Sequence, residues 1–333
     1  GGCGSKNGSA LLKEVLAEVP SVNSSEIIIG LQKADDAAII KPKPGNVGVH
    51  TIDNFKQFID DPWMLGKIAV NHALNDIFAM GADPKSALAI VGLPLSDPKI
   101  MKNDMALLMR GASNGLQENR TVLVGGHTNE ADEINIGFSA YGEIDEKKII
   151  RKTGAVEGDL VVLTRPLGSG VLFAGAMKGI TKGRWVSAAL KEMTQSNFDA
   201  SNIFSLHSAS SLTDITGFGL IGHLSEMISE SQEGATIFVE QVPFYEGALA
   251  LAELGVESTL KPENIRIRHK ATNEIKANAR YQLCFDPQTS GGLLATLKPS
   301  VTQKCLNNLH DAGYIDASII GQISSISGEI TIS

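Results

Sequence analysis

The stretch Asp61-Pro62-Trp63-Met64-Leu65-Gly66-Lys67-Ile68-Ala69-Val70-Asn71-His72-Ala73-Leu74-Asn75-Asp76-Ile77-Phe78-Ala79-Met80-Gly81 decides how the first half of the chain is read. Asp61 suits an N-cap, and Pro62 suits the first helical position, where its missing N–H is no loss. Leu65, Ile68, Ala69, Ala73, Ile77 and Met80 then recur at helical spacing, and Gly81 suits the left-handed residue that closes a helix. The spacing predicts a helix buried along one face. His72 and Asp76, four apart, share a face with Leu65, Ala69, Ala73 and Met80. Desolvation disfavours a carboxylate there unless an amide, a cap or a cation meets it.

The segments before this helix supply two more such acids. Residues 27–31 read as a strand that runs into Lys33-Ala34-Asp35-Asp36-Ala37-Ala38-Ile39-Ile40. Neighbours on an extended backbone point to opposite faces, so only one of Asp35 and Asp36 can face a given site; a polar turn is the plainer alternative. Residues 41–48, with two prolines and two glycines, read as a turn, and residues 49–55 as a strand whose end carries Asp53. Residues 10–19 form a short amphipathic helix ended by Pro20. Asp36, Asp53 and Asp76 thus recur in three consecutive elements. Hard oxygen donors of that kind suit Mg²⁺ or Mn²⁺ rather than zinc.

Past the helix, residues 87–93 read as a strand and 102–117 as a helix. Residues 121–124 form a strand that delivers Gly125-Gly126-His127-Thr128, whose backbone N–H groups either cradle phosphate oxygens or simply turn the chain. Residues 134–144 alternate as a further strand. No GxxxxGK[ST] is present and no GxGxxG lies between strand and helix, so the familiar nucleotide folds are unsupported.

A chain of 333 residues is long for one core, and near residues 154–159 the composition turns to Gly, Glu and Lys. The expected domains are 1–156 and 157–333. The second contains a strand at 160–164, a Gly-rich turn at 166–170 leading into a helix, and a helix at 186–193. Thr213-Asp214-Ile215-Thr216-Gly217-Phe218-Gly219 places one acid before two close glycines and a helix, and Asp286-Pro287-Gln288-Thr289-Ser290-Gly291-Gly292 precedes an apolar strand at 293–297. Cys284 and His223 sit in apolar surroundings and read as packing residues.

Composition excludes several classes. The chain is 43% hydrophobic and 20% charged, with no apolar run near the roughly 18 residues of a membrane span and no apolar signal-peptide core, so a cytoplasmic protein without membrane contact is expected. A net charge of −8 argues against a nucleic-acid partner, and an anionic substrate would need a metal bridge. Cys3, Cys284 and Cys305 form no CxxC pair, so Cys3 reads as a free thiol in a reducing compartment. It lies in Gly1-Gly2-Cys3-Gly4-Ser5-Lys6-Asn7-Gly8, read as a mobile reactive loop, residues 1–8, in which nearby Lys6 favours the thiolate; a frayed terminus is the bland alternative.

The set Gly2 to Lys6, Asp35-Asp36-Ala37-Ala38, Thr51-Ile52-Asp53, Asn75 to Gly81, Gly125 to Thr128, Thr213 to His223 and Asp286 to Gly292 resembles the selenophosphate synthetase family over nearly the whole chain. The paired aspartates and the Asp-Ile-Phe-Ala-Met-Gly helix end also resemble the wider superfamily of aminoimidazole ribonucleotide synthetase and thiamine-monophosphate kinase; the Cys3 to Lys6 loop narrows it. The resemblance implies an α/β (α+β) protein whose first domain donates strands to a barrel at a homodimer interface, and whose second is a sheet covered by helices. It implies that ATP, selenide and water give selenophosphate, AMP and orthophosphate. Cys3 and Lys6 would be catalytic; Lys6, Lys33, Ala34, Asp35, Asp53, Asp76, Gly126, His127 and Thr128 would line the ATP site; Asp36, Asp76 and Asp214 would hold Mg²⁺. A selenium-delivery protein is a further implied partner.

This chain departs from the pattern at Ser5, where many members have a second cysteine, and has only two residues before Cys3, where other members have more chain and some a flavoprotein-like domain. The competing readings are another ATP-dependent small-molecule kinase of the superfamily, which makes ADP without a thiol, and a thiol or metal sensor without turnover.

Overall fold

The computed structural model describes residues 14–17, 24–29, 39–229, 233–326 and 328–333. The chain divides into two units, one of residues 1–78 with 82–147 and one of 79–81 with 148–333. Both are mixed α/β.

In the first unit, β1 (Ile27–Ile29) and β2 (Ile39–Ile40) form a short antiparallel ribbon. The main sheet contains β3 (Asn46–Lys56), β4 (Asp83–Leu93), β5 (Val122–Glu130) and β6 (Asn135–Asp145), in the order β3-β6-β4-β5. Only the β4–β5 pair is parallel. Helix α1 (Pro62–Ala79) begins where expected, the Asp61 carboxylate accepting from the Met64 amide at 3.0 Å, and Gly81 follows at φ 72°. Helix α2 (Pro98–Glu118) is capped in the same way by Asp97.

Two expected turns are strand. β3 starts at Asn46 rather than after Gly48, because Asn46, Val47 and Gly48 pair in register with Asp145, Ile144 and Glu143, which leaves Gly45 at φ 85° as the turn. Gly125 to Thr128 lie inside β5, opposite Leu88, Ala89, Ile90 and Val91 of β4. Sheet pairing overrides the weak strand preference of glycine at both places.

The sheet's two faces differ. Thr51, Asp53 and Phe55 of β3 are half-buried, whereas His50, Ile52 and Asn54 between them are exposed. Ile52 pairs with Ser139 and Ser139 with Leu88, so Ile52 and Leu88, 61% and 41% exposed, stand in one row on the open face.

The second unit is built on six strands, β7 (Leu160–Leu163), β8 (Ser211–Asp214), β9 (Gly234–Ile237), β10 (Leu293–Leu297), β11 (Ser318–Ser324) and β12 (Ile330–Ile332). Their order is β12-β9-β11-β7-β10-β8, antiparallel except for β12 with β9. Helices α3 (Ser169–Met177), α4 (Gly183–Met193), α5 (Phe198–Leu206) and α6 (Gly219–Ile228) accompany it, with α7 (Pro299–Asp311) near its end and shorter helical turns between. Val161 and Leu163 of β7, Leu220 and Leu224 of α6, Phe285, Leu294 and Ile323 form one fully buried core. This apolar burial is what holds sheet and helices together, at about 25 cal/mol for each Å² removed from water.

Candidate active site

Strand β3 and helix α1 bring together a polar patch on the covered face of the first sheet. The Thr51 hydroxyl donates to the Asp76 carboxylate. His72 Nε2 lies 3.7 Å from Asp53 Oδ2, and Phe55 meets the His72 ring edge-on, centroids 5.3 Å apart at 79°. The alternation of β3 sends Thr51, Asp53 and Phe55 to one face, and the four-residue spacing of α1 brings His72 and Asp76 onto them. Burial raises the affinity of the Asp53 carboxyl for its proton, His72 opposes this, and Asp76 adds to it. Burial also pushes the His72 imidazole down, against the pull of Asp53 and Asp76. Both groups are therefore biased toward their neutral forms, and a cation bound there would relieve the repulsion between the two carboxylates. The donor set, two carboxylates and a hydroxyl, suits Mg²⁺. Among the described residues no three His, Cys, Asp or Glu side chains converge as a complete metal centre.

Gly126, His127 and Thr128, also expected at the ATP site, lie at the opposite edge of the sheet. Asp53 pairs with Phe138, Phe138 with Ala89 and Ala89 with Gly126, which puts Asp53 and Gly126 in one transverse row across three strand spacings, about 14 Å. A Cβ on Gly126 would lie 2.3 Å from the Ala89 carbonyl oxygen, so only glycine fits. His127 is exposed and, by register with Ile90, faces the open side. Among the described residues β5 forms an edge of the sheet, so half of its backbone N–H and C=O groups point away from β4. Cys3, Lys6, Lys33, Ala34, Asp35 and Asp36 lie outside the described residues.

In the second unit Asp214 ends β8 and is 6% exposed. The turn after it is held from three sides. The Ile215 amide donates to the Gly292 carbonyl at 2.9 Å, and the Thr216 carbonyl accepts from the Gln288 amide at 3.0 Å. Asn264 Nδ2 donates to the Gly217 carbonyl at 2.9 Å, and the Thr216 amide donates to His223 Nε2 at 3.0 Å. A Cβ on Gly291 would lie 2.1 Å from the Ile215 carbonyl oxygen, so the two Gly-containing segments press backbone on backbone.

Behind this turn is a buried polar network that the sequence did not announce. The Asp286 carboxylate accepts from Ser258 Oγ at 2.8 Å, the Val171 amide at 3.1 Å and Gln288 Nε2 at 3.2 Å, and burial pushes its pKa up to about 6. Gln288 Oε1 accepts from the amides of Gly168 and Ser169 and from Ser169 Oγ, each at 3.0 Å, which satisfies the start of α3. Arg165, fully buried, donates to the carbonyls of Ser290 and Ser196 at 3.2 and 3.1 Å. Cys284 is buried with its thiol pushed up to about 12 by desolvation, in keeping with a packing role.

Comparison with known proteins places this geometry. The AIR synthase related protein, N-terminal domain family matches residues 34–144, and the AIR synthase related protein, C-terminal domain family matches residues 156–331. The chain is 33% identical to a selenide, water dikinase of Clostridioides difficile (strain 630), over 97% of this chain and 93% of that protein. It is 34% identical to one of Paraburkholderia xenovorans (strain LB400), over 100% and 94% respectively. Among solved structures, thiamine-monophosphate kinase from Stenotrophomonas maltophilia K279a superposes with a TM-score of 0.73 at 18% identity, over 98% of this chain and 97% of that one. The hydrogenase maturation protein HypE in complex with ATP superposes with a TM-score of 0.72 at 18% identity, over 91% and 85%. The latter two show the shared fold, and the sequence similarity narrows it: the chain belongs to the selenide, water dikinase family, built on the two AIR synthase related domains.

Proposed function

We propose that the protein makes selenophosphate from selenide, ATP and water, releasing AMP and orthophosphate. The observation that carries this is the 33–34% identity to selenide, water dikinases over almost the full length of both chains. The acidic patch on the first sheet supports it. ATP is an anion, and carboxylates such as Asp53 and Asp76 accept it only through a divalent cation. Asp36, Asp76 and Asp214 would hold Mg²⁺, which when bound neutralises phosphate charge and polarises the phosphoryl oxygens. Thr51 holds the Asp76 carboxylate in one orientation by its hydroxyl, and His72 opposes the upward push of burial on the Asp53 carboxyl. Lys33, Ala34, Asp35, Gly126, His127 and Thr128 would line the nucleotide. Lys6 would meet the phosphates as a point charge and Cys3 would handle the selenium.

The protein acts as a homodimer through the open face of the first sheet, where Ile52 and Leu88 are exposed in one row. Burying that face between two copies would remove the apolar patch from water. It works in the cytoplasm, and a selenium-delivery protein would supply the selenide. Among the described residues no helix is long and apolar enough to cross a membrane.

The test is phosphorus NMR of the products from ATP with and without selenide, under anaerobic conditions, for the parent, Cys3→Ser and Lys6→Ala. Cys3→Ser is expected to bind ATP and make no selenophosphate; Lys6→Ala is expected to lose selenophosphate and ATP cleavage alike. ADP as the sole nucleotide product of the parent would instead favour a small-molecule kinase of the superfamily, and no turnover at all would favour a sensor.

A further inference from the structure

His223 lies on the first turns of α6, 5% exposed, with its two ring nitrogens in different surroundings. Nε2 receives the Thr216 amide at 3.0 Å and has the Thr216 hydroxyl at 3.2 Å. A backbone amide can only donate, so Nε2 must present its lone pair and the ring proton must sit on Nδ1. Nδ1 is shut off from solvent without a hydrogen bond of ordinary geometry, and Glu226 Oε2 lies 3.5 Å from it. Glu226 is itself held by Lys152 Nζ at 2.8 Å. A carboxylate on that side favours the Nδ1–H tautomer. The wrong tautomer would turn an N–H onto the Thr216 N–H.

We propose that His223 is a positioning residue for the turn that presents Asp214, its Nε2 lone pair locking the Thr216 amide while Glu226, braced by Lys152, fixes the tautomer. The proposal rests on the reading that Asp214 holds a divalent cation. His223 does not touch the cation or the substrate; it removes a degree of freedom from the two residues that follow Asp214. The other supports of the turn, Gly292, Gln288 and Asn264, act on Ile215, on the Thr216 carbonyl and on Gly217. Among the described residues only His223 takes the Thr216 amide, which would otherwise be a donor without an acceptor.

Two measurements test this without using turnover. The first is nitrogen NMR of the histidine-labelled protein without metal: the parent is expected to show His223 protonated on Nδ1, and Glu226→Leu, which takes away the carboxylate, to move the population toward Nε2–H. The second is Mn²⁺ affinity, read as free Mn²⁺ by electron paramagnetic resonance in the presence of a non-hydrolysable ATP analogue. His223→Leu, which has no acceptor, is expected to weaken Mn²⁺ binding about tenfold or more, the range for residues that orient a metal ligand. His223→Gln, which carries an acceptor oxygen near the Nε2 position, is expected to recover most of it, and Asp214→Asn to lose at least as much as His223→Leu. If His223→Leu does not fold, Glu226→Leu carries the affinity test, with a smaller loss that follows its tautomer shift. Parental affinity in His223→Leu beside loss in Asp214→Asn overturns the positioning role alone, as does an Nε2–H tautomer in the parent. Parental affinity in Asp214→Asn overturns the metal reading beneath it.

Discussion

Replacing Asp286 by Asn should make the second unit's stability less dependent on pH. In the folded protein the Asp286 carboxyl holds its proton up to a pKa of about 6, against the usual 3.8, because burial outweighs its bonds from Ser258, Val171, Gln288 and Gly170. The folded state then binds more protons than the unfolded state between these values, so this group's stabilising contribution is complete below the unfolded pKa and is lost as pH rises through about 6. At 1.36 kcal/mol for each tenfold change in proton affinity, the loss is about 3 kcal/mol. Asn cannot titrate, yet its carbonyl oxygen can still accept from Val171 and Gln288 while its amide donates to Ser258 Oγ. Urea unfolding from about pH 4 to about pH 8, followed by Trp185 fluorescence with Trp63 replaced by Phe, reports on the second unit. The stability of Asp286→Asn relative to the parent should climb by about 2 kcal/mol across that window, which begins just above the unfolded pKa. A difference that stays constant, or falls as pH rises, would refute the assignment of a buried, displaced carboxyl.

Three further outcomes are expected. Ile52→Lys or Leu88→Lys on the open face of the first sheet should leave the fold intact by circular dichroism and convert a dimer into a monomer by light scattering, and a monomeric parent would end the dimer reading. Thr51→Val removes the hydroxyl from Asp76, a hydrogen bond to a charged group worth about 1.5–3 kcal/mol, so calorimetry of Mg²⁺–ATP binding should show a loss of roughly tenfold or more; parental affinity would mean that Asp76 does not serve the nucleotide. Gly291→Ala pushes a methyl group into the Ile215 carbonyl and should cost about 1–3 kcal/mol, seen as a lowered Tm, with an unchanged Tm counting against the tight packing of the two segments.

The sequence made the first helix legible almost to the residue, since cap, proline, periodicity and terminal glycine all agree between Asp61 and Gly81. The strand at 293–297 was equally plain, because four apolar residues among five follow a Gly-rich segment. Gly125 to Thr128 misled because glycine signals a turn locally, whereas here Gly126 is required by the close approach of the Ala89 backbone, which no single-strand pattern reveals. Asp53 and Asp76 could be singled out as acids in apolar company. Their partners Thr51 and His72 come from the other element of each pair, and the contact depends on tertiary packing. His223 read as a packing residue because an apolar helix surrounds it; its bond to the Thr216 amide depends on the turn's return toward the helix. The network of Arg165, Asp286 and Gln288 joins residues more than a hundred positions apart, a distance over which periodicity carries no signal.

In the second unit β7 lies between β10 and β11, so the strand made first gains both neighbours last. Roughly 130 residues must leave the ribosome between Leu163 and Leu293, which at about 5–20 residues per second takes about 7–26 s. Throughout that interval Leu160-Val161-Val162-Leu163, an unbroken apolar run, has neither of its two edge partners. Synthesis of this protein therefore passes through a nascent chain with a sticky, unpaired strand, the kind of species that chaperones shield during translation.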